Sequence, residues 1–360
     1  MRPVKSYIAK RFQNSDAGLS LDTDALARYS DIIDLSIGNT DFIADDAIFD
    51  TAFREAKAGY THYGDPKGDP ELIRSVCDAW QTDFKQPLSP DHVLVTASSS
   101  MGMALVMLSV LDPGDEVIVF SPYFSLYRTQ AELAGGVCVE VPTYANEAWA
   151  IDEARLRAAI TPRTKLIVFN NPCNPTGMMY SRSELEGIAK VCVDNDLYVL
   201  SDEIYYSLTY DNEQFTSLAA LGEAIKARTL LINGVSKSYA MTGWRIGYIA
   251  APANITKVIG NYLGHCTGSP SAISQKAALA ALTAPQDQVE TMRQAFEQRR
   301  NYIVERMNAI PGVSCIQPEG AFYVMMNLEQ LLGKTIHGVE ITNDDVFADA
   351  FLKYGLVAVV

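Results

Sequence analysis

The chain has 360 residues, 48% of them hydrophobic and 20% charged, with a formal net charge of −14. That length exceeds one comfortable core and predicts two domains, while the mixed composition excludes a disordered or collagen-like chain. No run of Lys and Arg offers a stripe for nucleic acid, and no apolar run approaches the ~20 residues of a membrane helix.

The N-terminal stretch carries Arg2, Lys5, Lys10 and Arg11 between single apolar residues, without the continuous apolar segment of a secretory leader. Six cysteines, Cys77, Cys138, Cys173, Cys192, Cys266 and Cys315, show no CxxC spacing. This pattern predicts reduced thiols, no metal site and a cytoplasmic location.

In chain order, short apolar or β-branched runs occupy 93–96, 117–120, 137–141, 166–170, 197–200, 229–233 and 246–251. Helical periodicity fills most gaps between them. The segment 100–111 stops at the turn Asp112, Pro113, Gly114, Asp115, and Ser181 with Glu184 forms a capping box opening a helix to about Val193. Strand–helix alternation predicts an α/β fold, a mainly parallel seven-stranded sheet with helices on both faces. The stretch between 233 and 246 is too short for an easy crossover helix and rich in Ser, Gly and Thr, so the seventh strand is predicted antiparallel.

From about Ser271 long helical segments take over. Residues 287–308 carry Met292, Phe296 and Ile303 at helical spacing, and 321–326 then reads as a strand. Residues 45–276 are expected to form a large domain, and 1–44 with 277–360 a smaller α+β domain. The β-branched run 357–360 reads as a strand of that smaller domain.

Polar groups fall just past four predicted strand ends: Ser98 to Ser100, Asn174, Asp202 and Lys237. In doubly wound sheets the ligand crevice lies at that edge. Taken alone, Lys237 reads as an ordinary loop lysine, and Arg245, opening a buried strand, needs an anionic partner, either a phosphate or the carboxylate of a structural ion pair. An acid directly after an apolar strand, as Asp202 is, needs a cationic partner. The run Asn-Pro-Cys-Asn-Pro-Thr-Gly at 171–177 is a stiff turn whose prolines bias the asparagines toward extended backbone.

Asn174, Asp202, Lys237 and Arg245 follow one another along the chain in that order. With 171–177, 202–205 and 236–245, and with 37–38, 60–68, 121–127 and 318–323, their order and spacing resemble the fold type I, class I/II aminotransferases that depend on pyridoxal phosphate. The likeness covers about residues 30 to 330 and leans toward the aspartate, aromatic and kynurenine group. It implies that Lys237 forms an aldimine with the cofactor and moves the proton at the substrate Cα. It implies that Asp202 pairs with the pyridine nitrogen, that Tyr205 and Asn174 bond the ring's phenolic oxygen, and that Phe124 stacks on the ring. Ser99, Ser100, Met101, Ser236 and Arg245 are then expected around the phosphate. Tyr63 is expected at the phosphate of a neighbouring subunit, and Gly38 and Asn174 at the substrate.

The resemblance implies ping-pong transamination of an amino acid with a 2-oxo acid by a homodimer whose active sites are shared at the interface. A C–S β-lyase on the same fold is the nearest alternative, and the run 236–245 resembles the transaminases more. A cofactor-sensing regulator would need a basic winged helix, which the short stretch ahead of the fold cannot hold. An impaired aminotransferase-like protein is the third alternative. The family usually continues past the position of Val360 with a strand, a carboxylate-binding arginine and a helix, so a longer natural chain is expected. Where relatives carry glycines, the phosphate loop reads Ala97, Ser98, Ser99, Ser100, which leaves the backbone less freedom.

Overall fold

A computed structural model describes Tyr29 and residues 31–360. The described chain divides into two compact units. The larger comprises residues 40–297 and 318–323; the smaller comprises the described residues up to 39, with 298–317 and 324–360. The sequence drew its boundaries at 44/45 and 276/277, whereas the division here runs through the helix Asp287–Asn308.

The larger unit is built on seven strands: β1 (Val93–Thr96), β2 (Glu116–Ser121), β3 (Val137–Pro142), β4 (Thr164–Asn170), β5 (Tyr198–Asp202), β6 (Thr229–Gly234) and β7 (Gly247–Ala250). Their order across the sheet is β1-β7-β6-β5-β4-β2-β3. Every pairing is parallel except those of β7 with β1 and β6. All seven strands stand where the apolar runs predicted them, and the seventh is the antiparallel one.

Burial explains the runs. β1, β6 and nearly all of β2 and β4 are buried along their length, because helices cover both faces of a parallel sheet. On one face Leu94, Val117, Val119, Leu166, Val168, Leu200, Leu230 and Ile232 pack against Met103, Val106 and Met107 of the helix Ser99–Val110. On the other, Ile118, Ile167, Phe169 and Val199 meet Leu185, Ile188 and Cys192 of the helix Arg182–Asp194. That helix opens with the Ser181–Glu184 capping box read from the sequence.

In the smaller unit, Ile33–Asp34 pairs in parallel with Val357–Ala358, and Thr335–Ile336 pairs antiparallel with Val339–Glu340. The strand expected at 357–360 therefore forms only as Val357–Ala358. The expected strand at 321–326 does not form. Its neighbourhood holds only two isolated bridges, Thr209 with Gly320 and Ser314 with Asn327. Ala321 takes a left-handed φ of 58° and turns the chain there. Its amide donates to Leu208 O at 2.9 Å and its carbonyl accepts from the Tyr210 hydroxyl, so 318–323 folds as part of the larger unit.

Candidate active site

Register brings the C-terminal ends of the strands together. Asn170 of β4 lies opposite Asp202 of β5, Asp202 opposite Ile232 of β6, and Gly234 opposite Gly247 of β7. A small cavity opens beside this edge, lined by Tyr127, Asn170, Cys173 and Asn174 among others.

Asp202 is buried. Burial raises its carboxyl to about 6, against the lowering influence of the Tyr127 hydroxyl, the Ile204 amide and the Lys237 charge. Tyr127 donates to Oδ2 at 2.8 Å and the Ile204 amide to Oδ1 at 3.3 Å. A buried carboxylate so placed fits a cationic partner.

Lys237 follows β6. Burial depresses its amine to about 8; Asp202 opposes that shift and the Arg245 charge adds to it. Its Nζ lies 5.4 Å from the Phe322 ring centre and 5.9 Å from that of Tyr205. An amine near neutrality, walled by aromatic rings, suits nucleophilic and proton-transfer work.

Tyr205 is buried, and its hydroxyl lies 2.6 Å from that of Tyr323. Burial drives its phenol well upward, Tyr323 adds to that rise, and the Asn174 side chain opposes it by hydrogen bonding. Asn170, absent from the sequence-derived site, ties this corner together. Its Oδ1 accepts from the Asn174 amide at 2.6 Å and its Nδ2 donates to Asp202 O at 2.8 Å.

At the end of β1 the helix Ser99–Val110 begins. Ser98 is its N-cap and accepts from the Met101 amide at 3.2 Å. Ser98 holds φ at 112°, a region that favours glycine, which is the constraint the sequence anticipated there. The Ser99 hydroxyl donates to Asn233 O at 3.0 Å, and the Ser100 carbonyl accepts from Gln130 Nε2 at 2.9 Å. A Cβ on Gly247 would come within 2.6 Å of Ser98 C and 2.9 Å of Ser99 Cα, so β7 must pass as bare backbone. The helix N-terminus supplies amides and dipole for an anion.

Ser236 is buried beside Lys237. Arg245, in a left-handed conformation at φ 57°, is exposed, bonds Thr242 O at 2.7 Å and pairs with no carboxylate among the described residues. Phe124 packs edge-on to Tyr127 at 5.8 Å. Tyr63 stands 94% exposed, and Gly38 belongs to the smaller unit. Sequence reasoning missed Tyr127, Asn170, Phe322 and Tyr323 as members of the site. Their signal was position: each lies in or beside a motif run, at 121–127, 171–177 or 318–323.

The family model for "Aminotransferase class I and II" matches residues 30–360. The chain belongs to that family. It is 37% identical over 362 residues to the aspartate aminotransferase of Bacillus sp. YM-2, covering 99% of this chain and 91% of that one. It is 40% identical to the aspartate/prephenate aminotransferase of Cereibacter sphaeroides, covering 92% of this chain and 83% of that one. The crystal structure of the Rhizobium meliloti aspartate aminotransferase superposes with a TM-score of 0.93 at 34% identity, over 98% of this chain and 90% of that one. The mostly parallel α/β sheet flanked by helices is thus the fold type I architecture that the resemblance implied. The enzyme is a pyridoxal-phosphate-dependent aminotransferase, carrying an amino group from an amino acid to a 2-oxo acid. No helix among the described residues is long and apolar enough to cross a membrane.

The residues fit this cofactor chemically. Asp202 offers a buried anion suited to a protonated ring nitrogen, Lys237 an amine suited to an aldehyde, and the N-terminus of the helix Ser99–Val110 amides suited to a phosphate.

Proposed function

We propose that Lys237 is the covalent attachment point and the proton carrier of this aminotransferase, that Asp202 holds the ring nitrogen protonated, and that aspartate is the amino donor. The observation that carries the assignment is the half-buried, depressed amine at Lys237 within electrostatic reach of the buried carboxylate of Asp202 at one sheet edge. Tyr205 and Asn174 hold the cofactor's phenolic oxygen, and Phe124 covers its ring. Ser99, Ser100, Met101, Ser236 and Arg245 hold the phosphate. Gly38 and Asn174 contact the substrate. Two copies complete each site, the exposed Tyr63 of one chain reaching the phosphate bound by the other.

When bound, the cofactor supplies an electron sink that makes the substrate Cα–H acidic. The protein does the rest. The neutral Lys237 amine accepts the Cα proton and returns it later, which requires that it lose its charge near neutral pH. Burial provides that. Asp202 keeps its charge because Tyr127 and the Ile204 amide bond the ionised form. The aromatic wall of Tyr205 and Phe322 limits water around the amine.

Aspartate is supported by the names of the relatives, which are aspartate or aspartate/prephenate aminotransferases. The test is a single-turnover panel of amino acids, read by loss of the bound cofactor's visible absorbance. Aspartate should react fastest, without pyruvate or ammonia release. Faster reaction with aromatic amino acids would overturn the substrate assignment. Pyruvate and ammonia formed without an added oxo acid would favour the β-lyase.

A further inference from the structure

The hydroxyl pair of Tyr205 and Tyr323 joins residues 118 apart in sequence at an O–O distance of 2.6 Å. Tyr323 is held there from several sides. Gly320 N and Glu319 N both donate to Gly177 O at 2.9 Å, on the turn that carries Asn174. Ala321 is fixed by Leu208 and Tyr210. The Tyr323 ring then packs 5.6 Å from Tyr205, edge to face at 88°, and 5.0 Å from Phe322. The segment 318–323 belongs to the larger unit and places one hydroxyl against Tyr205.

A phenol oxygen has one proton to give and two lone pairs to fill. Either hydroxyl of the Tyr205–Tyr323 pair could be the donor. A proton given by Tyr323 leaves the Tyr205 proton free to point away from that pair. We propose that Tyr323 is a positioning residue for the reaction: with cofactor bound, its hydroxyl turns donor to Tyr205 and so aims the Tyr205 proton at the cofactor's phenolic oxygen. This inference rests on the reading of Tyr205 as a cofactor contact and extends it to a residue that touches the cofactor only through another.

The consequence is electrostatic. A hydroxyl that accepts a hydrogen bond is a stronger donor through its own proton, because successive hydrogen bonds polarise one another. Strong donation draws charge from the cofactor's phenolic oxygen and makes the adjoining Lys237 nitrogen easier to deprotonate. Removing Tyr323's oxygen weakens that donation, and the nitrogen then holds its proton to higher pH.

The experiment follows the visible absorbance of the holoenzyme against pH in wild type, Y205F, Y323F and the double variant, with no substrate present. Y205F should raise the midpoint most. Y323F should raise it by about half a pH unit, a fraction of one neutral hydrogen bond. In the Y205F background the second substitution should add nothing, since its effect passes through Tyr205. Thermal unfolding of each variant separates a packing effect, which would lower the melting temperature without moving the midpoint. A Y323F midpoint equal to wild type, or a shift of equal size in the Y205F background, overturns the inference. A Y205F midpoint equal to wild type overturns the cofactor contact itself, and the inference falls with it.

Discussion

The Tyr127 hydroxyl donates to Asp202 Oδ2 at 2.8 Å, and this bond sets the charge of the carboxylate that anchors the site. Burial pushes Asp202 up to about 6, and Tyr127 is the largest influence holding it down. Tyr127→Phe removes one charge-assisted bond while keeping the ring that packs against Phe124 and the sheet's buried face. The acid limb of the kcat/KM profile should move up by about one pH unit, and activity at pH 6 should fall more than at pH 8. A pH-independent loss would mean that Tyr127 acts by packing alone.

The proposed phosphate site makes a second prediction. Gly247→Ala would place a Cβ 2.6 Å from Ser98 C, against backbone at the start of the helix Ser99–Val110. That backbone has little room to yield, because Ser98 already sits at φ 112° and a Cβ built on Gly234 would lie only 2.9 Å from Gly247 Cα. Cofactor affinity, followed by fluorescence quenching of the apoenzyme, should weaken by about tenfold or more, the scale of losing one charged hydrogen bond. Gly243→Ala, with open space around it, should bind like wild type.

Glu203 gives a pH signature of its own. It is buried, accepting from the Ser201 hydroxyl at 2.9 Å and the Ser217 hydroxyl at 2.8 Å. Burial raises it to about 8, with the Asp202 charge adding to the rise. Its folded value exceeds its unfolded value, so its contribution to stability is intact below pH ~4.5 and is lost as pH rises toward 8. Glu203→Gln cannot ionise. The difference in melting temperature between the two proteins should therefore shift in favour of the variant between pH 5 and pH 9. A constant difference would place the Glu203 titration outside that window.

The sheet was legible because each strand is a short apolar run between helical stretches, and burial on both faces requires that pattern. The antiparallel β7 was legible from arithmetic, since the short stretch between 233 and 246 cannot return along the sheet as a helix. The segment 321–326 misled for a physical reason. Ala-Phe-Tyr-Val-Met-Met has strand-like composition, yet its rings are used as a wall beside Lys237 instead of in a ladder. The gathering of Lys237, Asp202, Asn174 and Tyr205 at one sheet edge was legible from the strand ends they follow. Tyr127, Asn170 and Tyr323 were not, because their roles are hydrogen bonds to residues 75, 32 and 118 positions away, which no local pattern encodes. The exposure of Tyr63 was equally invisible in the sequence.

The central claim is that Lys237 carries the cofactor opposite Asp202. Borohydride reduction of the holoenzyme, followed by proteolysis and peptide mass analysis, tests it most directly. The cofactor mass should sit on the peptide containing Lys237, and the K237A protein treated identically should release its cofactor unattached. Attachment to Lys276, or to any other lysine, would contradict the account.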